Sequence, residues 1–159
     1  MLSALVAAAA LILVSPDFRA GGTIPAALRA QACGGANRLP ALRWSAPPPN
    51  TRSFAIVLHD PDAPVAGGFY HWVLYDIPAT ARSTDGASGG GRSGIATTGQ
   101  AAYFGPCPPP GPAHHYIFTL YALDVEKLAG GSPTGPELQS RVRGHVLARA
   151  TLEATARTP

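Results

Sequence analysis

Two short segments gather the side chains best suited to chemistry. In the first, Asp60-Pro61-Asp62-Ala63-Pro64 runs on to His71-Trp72; in the second, Gly105-Pro106-Cys107-Pro108-Pro109-Pro110-Gly111 runs on to His114-His115-Tyr116. Proline fixes its own φ and restricts the residue before it, so both loops are stiff and each lies beside a strand bearing an imidazole. Imidazole N–H, phenol O–H and loop amides all donate hydrogen bonds, whereas a carboxylate orients an imidazole or accepts from an ammonium. His71, His114 and Tyr116 around Asp60 therefore suit one phosphoryl or carboxylate oxygen cluster, and in particular a phosphate ester that also carries an amine.

Other chemistries compete for the same residues. Two histidines and one carboxylate are a known facial metal set, so Asp60, His71 and His114 also describe a metal-assisted hydrolase, although nothing in their spacing demands a metal. Taken singly, each histidine also reads as a buried ring satisfied by a backbone carbonyl. Cys107 is flanked by prolines and has no helix N-terminus to activate a thiolate, and no serine sits in a G-x-S-x-G elbow. The stretch Gly86-Ala87-Ser88-Gly89-Gly90-Gly91-Arg92-Ser93 approaches a phosphate-binding loop, but no buried strand precedes it and no amphipathic helix follows. It reads as a flexible loop. Asp62 reads as a turn residue whose carboxylate bonds nearby backbone, and His59 and His115, pointing opposite to Asp60 and His114, read as structural or exposed.

The elements that must position these groups are strands. From Ser53, Phe54, Ile56 and Leu58 alternate with Ala55, Val57 and His59, and Asp60 continues the Phe54 face, which aims a carboxylate inward at a strand end. Tyr70 to Ile77 is apolar and aromatic nearly throughout, as for a strand covered on both faces, with His71 on the side of Val73 and Tyr75. His114 to Leu123 places His114, Tyr116, Phe118 and Leu120 together and reads as a central strand. A helix start follows at Ser132-Pro133-Thr134-Gly135-Pro136-Glu137, with Leu138, Val142 and Val146 at helical spacing. Ala148, Ala150, Leu152, Ala154 and Ala156 then alternate with polar residues as in an edge strand. The fold class is mainly β, a sandwich or crossed pair of antiparallel sheets with one flanking C-terminal helix.

Bulk properties narrow the field further. The 159 residues include 18 Gly and 17 Pro but only 13% charged residues, which fits one turn-rich domain. The net charge of +3 comes from scattered arginines, Lys127 being the only lysine, so clustered cations for nucleic-acid binding are missing. Met1 to Val14 is apolar, with small-residue cleavage sites at Ala7-Ala8-Ala9-Ala10 but no Lys or Arg before the apolar core. Residues 1–10 are expected to be an export leader, with one domain over 11–159 and a periplasmic or secreted location. The alternative is that Leu11 to Val14 begins the first strand of a cytoplasmic protein. Cys33 and Cys107 follow the same fork: free thiols in a reducing compartment, or, after export, one disulfide worth roughly 2–4 kcal/mol that tethers the second loop. Two cysteines alone do not make a structural zinc site.

The paired segments resemble those of the phosphatidylethanolamine-binding protein (PEBP) family, in its bacterial YbhB/YbcL-type branch also called Raf kinase inhibitor-like. Ser15-Pro16-Asp17-Phe18, Gly21 to Pro25, Cys33-Gly34-Gly35-Ala36-Asn37, Leu42-Arg43-Trp44, Tyr121-Ala122-Leu123-Asp124 and Gly144-His145-Val146-Leu147 are similar to that branch too. The resemblance implies a PEBP-like β-sandwich and a small pocket for phosphate, a phospholipid head group or another small anion, lined at Asp60, Pro64, His71, Gly105, Pro108, His114 and Tyr116. It implies a binding protein without catalytic residues, metal or cofactor. Kinship alone adds a kinase or protease as a regulated partner, and a homodimer is a further expectation. Two positions depart from the family pattern. His115 stands where Arg is usual, removing a cation beside the pocket strand, and Ala96-Thr97-Thr98-Gly99 replaces an Asn-containing approach; both changes are expected to loosen anion affinity.

Overall fold

The computed structural model describes residues 9–159, so the greater part of the expected leader lies outside the described residues. The two short strands β1 (Leu13–Val14) and β2 (Arg43–Trp44) pair antiparallel as one sheet. A second, five-stranded antiparallel sheet is built from β3 (Ser53–Asp60), β4 (Phe69–Pro78), β5 (Arg92–Ser93), β6 (His114–Leu123) and β7 (Val146–Ala156). Its order is β5-β4-β3-β6-β7. The expected architecture of two antiparallel sheets with one helix is therefore present, with β3 at the centre and β7 at an edge. Among the described residues no helix is long and apolar enough to cross a membrane.

Alternation along β3 splits the hydrophobic residues between two cores. Phe54, Ile56 and Leu58 join Trp72, Leu74, Phe118 and Leu120 in a core closed by β1, β2 and the N-terminal loops, through Leu13, Phe18, Leu28, Leu42 and Trp44. Ala55 and Val57 face the other way, against Val73, Tyr75, Leu123, Leu138 and Val142. Both faces of the central strands are thus dry, which explains their nearly continuous apolar runs.

The α-helix α1 (Gly135–Arg141), the only one among the described residues, is short, and its ends explain its length. The Glu137 amide donates to Thr134 Oγ1 and the Thr134 amide to Glu137 Oε2, a reciprocal cap, with proline in the first turn. Leu138 is fully buried beneath it, a contribution of about 2–3 kcal/mol. Gly144 at φ +80° turns the chain away, so Val146, placed by spacing on the helix, instead begins β7 and is exposed. The glycine-rich stretch read as a flexible loop contains a 3-10 turn at Ala87–Gly90 and then β5, where the Arg92 guanidinium lies over the Tyr75 ring at 5.3 Å.

Two irregularities interrupt the β3–β4 ladder, one near each end. Register steps from Leu58↔Trp72 to His59↔Tyr70, leaving His71 as the extra residue of a β-bulge. A second bulge at the other end accommodates Asp76, which has φ +54° and accepts from the Leu128 amide. A bulge reverses the in-out sense of the residues beyond it, so His71 and Trp72 turn toward the first core while Tyr70 stays on the α1 side, against His59 and Gly135.

Candidate functional site

Asp60 at the end of β3, His71 at the start of β4, and His114 and Tyr116 at the start of β6 all lie at one end of the sheet. Because His59 pairs with Ile117, the next β3 residue comes level with Tyr116. The four are buried, Tyr116 completely. They line a cavity of about 140 Å³ whose walls are apolar or proline: Pro64, Val65, Phe69, Phe104, Pro108 and Pro109. This volume holds four or five waters at roughly 30 Å³ each, and it is below the roughly 300 Å³ at which pockets for drug-sized ligands begin. A wider groove of about 440 Å³ opens beyond Val65–Gly68 but has no acidic or basic side chain in its lining. The converging polar atoms mark the smaller cavity as the candidate site.

Asp60 is the organiser. Its Oδ1 accepts from the amides of Asp62 (2.9 Å) and Ala63 (3.1 Å), and its Oδ2 faces His114 Nδ1 at 2.7 Å. A carboxylate only accepts, so Nδ1 carries the proton and Nε2 is the nitrogen left for the cavity. The turn-capping role expected of Asp62 thus belongs to Asp60. Asp62 reaches instead to His115, accepting from its amide (2.8 Å) and from Nδ1 (2.6 Å) on the protein surface. These bonds hold the Asp62 carboxyl below, and the His115 imidazole above, their ordinary ranges.

His71 is fixed by two bonds to one residue. Its Nδ1 donates to the Phe104 carbonyl (2.7 Å), and its own carbonyl accepts from the Phe104 amide (2.9 Å). The ring sits among Phe69 (4.5 Å between centroids), Tyr116 (5.3 Å) and Phe104 (6.1 Å). Burial in this aromatic box pushes its pKa down to about 4, so the ring is neutral at pH 7. Strand alternation had put His71 on the Val73 and Tyr75 side; the bulge corrects that placement and is what brings the ring to the cavity. The Tyr116 hydroxyl is buried without a hydrogen-bond partner among the described residues. Desolvation first, and the Asp60 carboxylate second, push its ionisation far upward, which keeps it a donor.

The second loop is held from behind. Cys107, in the cavity wall, is disulfide-bonded to Cys33, with the two Cα atoms 5.6 Å apart. Gly105 stands behind the wall rather than in the cavity lining. Its amide donates to Asn37 Oδ1 (2.7 Å), and a Cβ there would strike the backbone of Leu28, Arg29 and Ala30. Asn37 also donates to the Tyr103 carbonyl (3.4 Å) from a left-handed conformation at φ +51°. Asp60, Pro64, His71, Pro108, His114 and Tyr116, by contrast, all face the shared cavity. Sequence reasoning overlooked Phe69 and Phe104 as walls; the only signal for Phe69 was an aromatic beside the inward histidine. Among the described residues no group of three or more His, Cys, Asp or Glu side chains is placed to hold a metal ion.

The family model for phosphatidylethanolamine-binding protein matches residues 14–157. The chain belongs to that family. It is similar to the UPF0098 protein YbhB of Escherichia coli, 35% identical over 153 residues, covering 89% of this chain and 97% of YbhB. Similarity to LppC of Mycobacterium tuberculosis, named as a lipoprotein, is 38% over 152 residues, 94% of this chain and 73% of LppC. The crystal structure of Escherichia coli YbcL, described as a new member of the mammalian PEBP family, superposes with a TM-score of 0.87 at 30% identity, covering 95% of this chain and all of that one (100%). In this PEBP chain the polar cavity sits where β3, β4 and β6 end together.

Proposed function

We propose that this PEBP-family chain is a non-enzymatic binding protein whose cavity takes the phosphate group of free phosphate, a phosphorylated small molecule or a phospholipid head group. The observation that carries this reading is the Tyr116 hydroxyl, a buried donor with no hydrogen-bond partner among the described residues, beside two imidazoles that each bond the protein there through Nδ1 alone. An unpaired buried hydroxyl is costly, and a ligand oxygen in the cavity relieves it. His114, its Nδ1 hydrogen held by Asp60, turns Nε2 toward the same cavity. The volume admits one tetrahedral anion, so any larger ligand leaves the rest of its structure outside.

Calorimetric titration with inorganic phosphate and with phosphorylethanolamine, repeated on Tyr116→Phe, tests the proposal. A hydrogen bond to a charged oxygen is worth about 1.5–3 kcal/mol, so the variant should bind about 10- to 100-fold more weakly. Because the hydroxyl makes no well-formed hydrogen bond among the described residues and has only the Asp60 carboxylate close by, its removal should change the unfolding midpoint little. Equal affinity in both proteins would overturn the reading. The disulfide and the lipoprotein name of LppC support an envelope location, periplasmic or secreted. Mass spectrometry of the mature N-terminus tests that separately.

A further inference from the structure

We propose that the groove beyond Val65 receives the ester group of the same ligand, so that the protein takes phosphate esters of apolar alcohols, with the phosphate in the cavity and the alkyl or aryl group in the groove. This rests on the anion-binding reading above and deepens it. The cavity of about 140 Å³ admits one tetrahedral anion, and whatever is esterified to that anion lies outside. One loop walls both hollows: Ala63, Pro64 and Val65 line the cavity, and Val65, Ala66, Gly67 and Gly68 line the groove. Val65 stands at the rim they share. It is 49% exposed, the one exposed large hydrophobic side chain in either lining. At about 440 Å³ the groove falls within the roughly 300–1,000 Å³ of pockets for drug-sized ligands.

The lining of the groove decides what kind of group fits, because its polar side chains are already engaged. Thr97 Oγ1 accepts from the Tyr70 amide (2.8 Å), Tyr70 Oη donates to Gln139 Oε1 (2.8 Å), and Thr134 Oγ1 accepts from the Glu137 amide (3.4 Å). The Gly67 carbonyl faces His59 Nε2 at 2.8 Å, and the amides of Gly68, Ile95, Ala96, Thr97 and Gly99 all donate to backbone carbonyls. Among the described residues no Asp, Glu, Lys, Arg or His lines the groove. The cavity is the opposite, with the Tyr116 hydroxyl buried and unpartnered among the described residues. A charged group entering the groove would lose water and find no partner, whereas an apolar group gains from burial. Gly67 and Gly99 keep the mouth wide, since a Cβ at either would touch nothing. A single exposed valine is too small a patch to rest on a bilayer, so the ligand enters as one molecule from solution.

Calorimetric titration with inorganic phosphate and with n-alkyl phosphates, kept below their micelle concentrations, tests this. Methyl and ethyl phosphate should bind alike, because neither chain passes Val65. Full burial of a methylene is worth about fourfold in affinity, and an open groove that covers half of each should give about twofold. Hexyl phosphate should then bind about tenfold more tightly than ethyl phosphate, with 6-aminohexyl phosphate well below hexyl phosphate. Ala66→Glu sets a carboxylate on the exposed groove side of the loop, and there the order should reverse, aminohexyl phosphate binding more tightly than hexyl phosphate. Ratios are compared within each protein, so a general change in phosphate affinity cancels. Three results would overturn this proposal and leave the anion-binding reading standing: ethyl and hexyl phosphate binding equally to the wild type, aminohexyl phosphate matching hexyl phosphate there, or a hexyl gain that Ala66→Glu leaves intact. Failure of inorganic phosphate and of every ester to bind would overturn both.

Discussion

Removing the Cys33–Cys107 link gives a prediction whose size follows from chain topology. The cysteines are 74 residues apart, and the loop-closure relation assigns a bridge of that span about 4.5 kcal/mol at 25 °C. The double variant Cys33→Ser/Cys107→Ser keeps both side chains small and polar, so the change falls mainly on the freedom of the unfolded chain. Residual structure in the unfolded ensemble reduces the effect, and the expected loss is about 3–4.5 kcal/mol. In a protein of this size that corresponds to a fall in Tm of about 6–18 °C. Urea unfolding of wild-type and variant protein, with wild type repeated in reductant, measures it. Because Cys107 is in the cavity wall, phosphate affinity should fall as well. A loss below about 1 kcal/mol with both thiols shown to be unpaired would refute the reasoning.

Three further perturbations test the frame around the cavity. The unfolded chain binds the His71 proton near 6.5 and the native chain near 4, so between those values the unfolded state holds more protons and stability rises with pH. About 2 kcal/mol should be lost between pH 7.5 and pH 5 in urea midpoints, and His71→Gln should flatten that slope; an unchanged slope in the variant would contradict the buried, neutral ring. Asp60→Ala strips acceptors from two amides and from His114 Nδ1, and should cost about 3–5 kcal/mol by urea unfolding, with a near-neutral result counting against Asp60 as organiser. Gly135→Ala drives a Cβ into the Tyr70 ring, itself stacked on His59, and should destabilise by about 1–3 kcal/mol in thermal melts.

What the sequence disclosed and what it withheld divide along a physical line. Period-two alternation places a residue correctly along a stretch that carries no extra residue, as Ser53–Asp60 and His114–Leu123 show, and so it aimed Asp60, His114 and Tyr116 at a common interior. His71 escaped that logic because a bulge is a property of two paired strands, and neither strand's pattern alone announces the extra residue. The turn cap's place on Asp60 rather than Asp62 has a similar origin. Both flank Pro61 in a turn that favours capping carboxylates, and the register of β6 decides which histidine each one reaches. Gly105 entered through family resemblance as a pocket residue, whereas its position is set by a close approach of the Leu28–Ala30 backbone, a contact distant in sequence. Asn37 shows the converse: one side chain anchors the loop behind the cavity through two backbone bonds, and nothing in its local sequence beyond that resemblance marked it. Val146 kept helical spacing but lost the helix to Gly144, a stop that overrides an apolar period.

The central claim is that His71 and His114 present free ring nitrogens to one cavity that admits a phosphate group. Nitrogen-15 spectra of protein labelled at histidine, recorded as inorganic phosphate is added, address it most directly. The account predicts that the Nε2 resonances of His71 and His114 shift together and saturate while those of His115 and His145 stay in place. Shifts confined to the surface rings, with His71 and His114 unmoved at saturating phosphate, would contradict it.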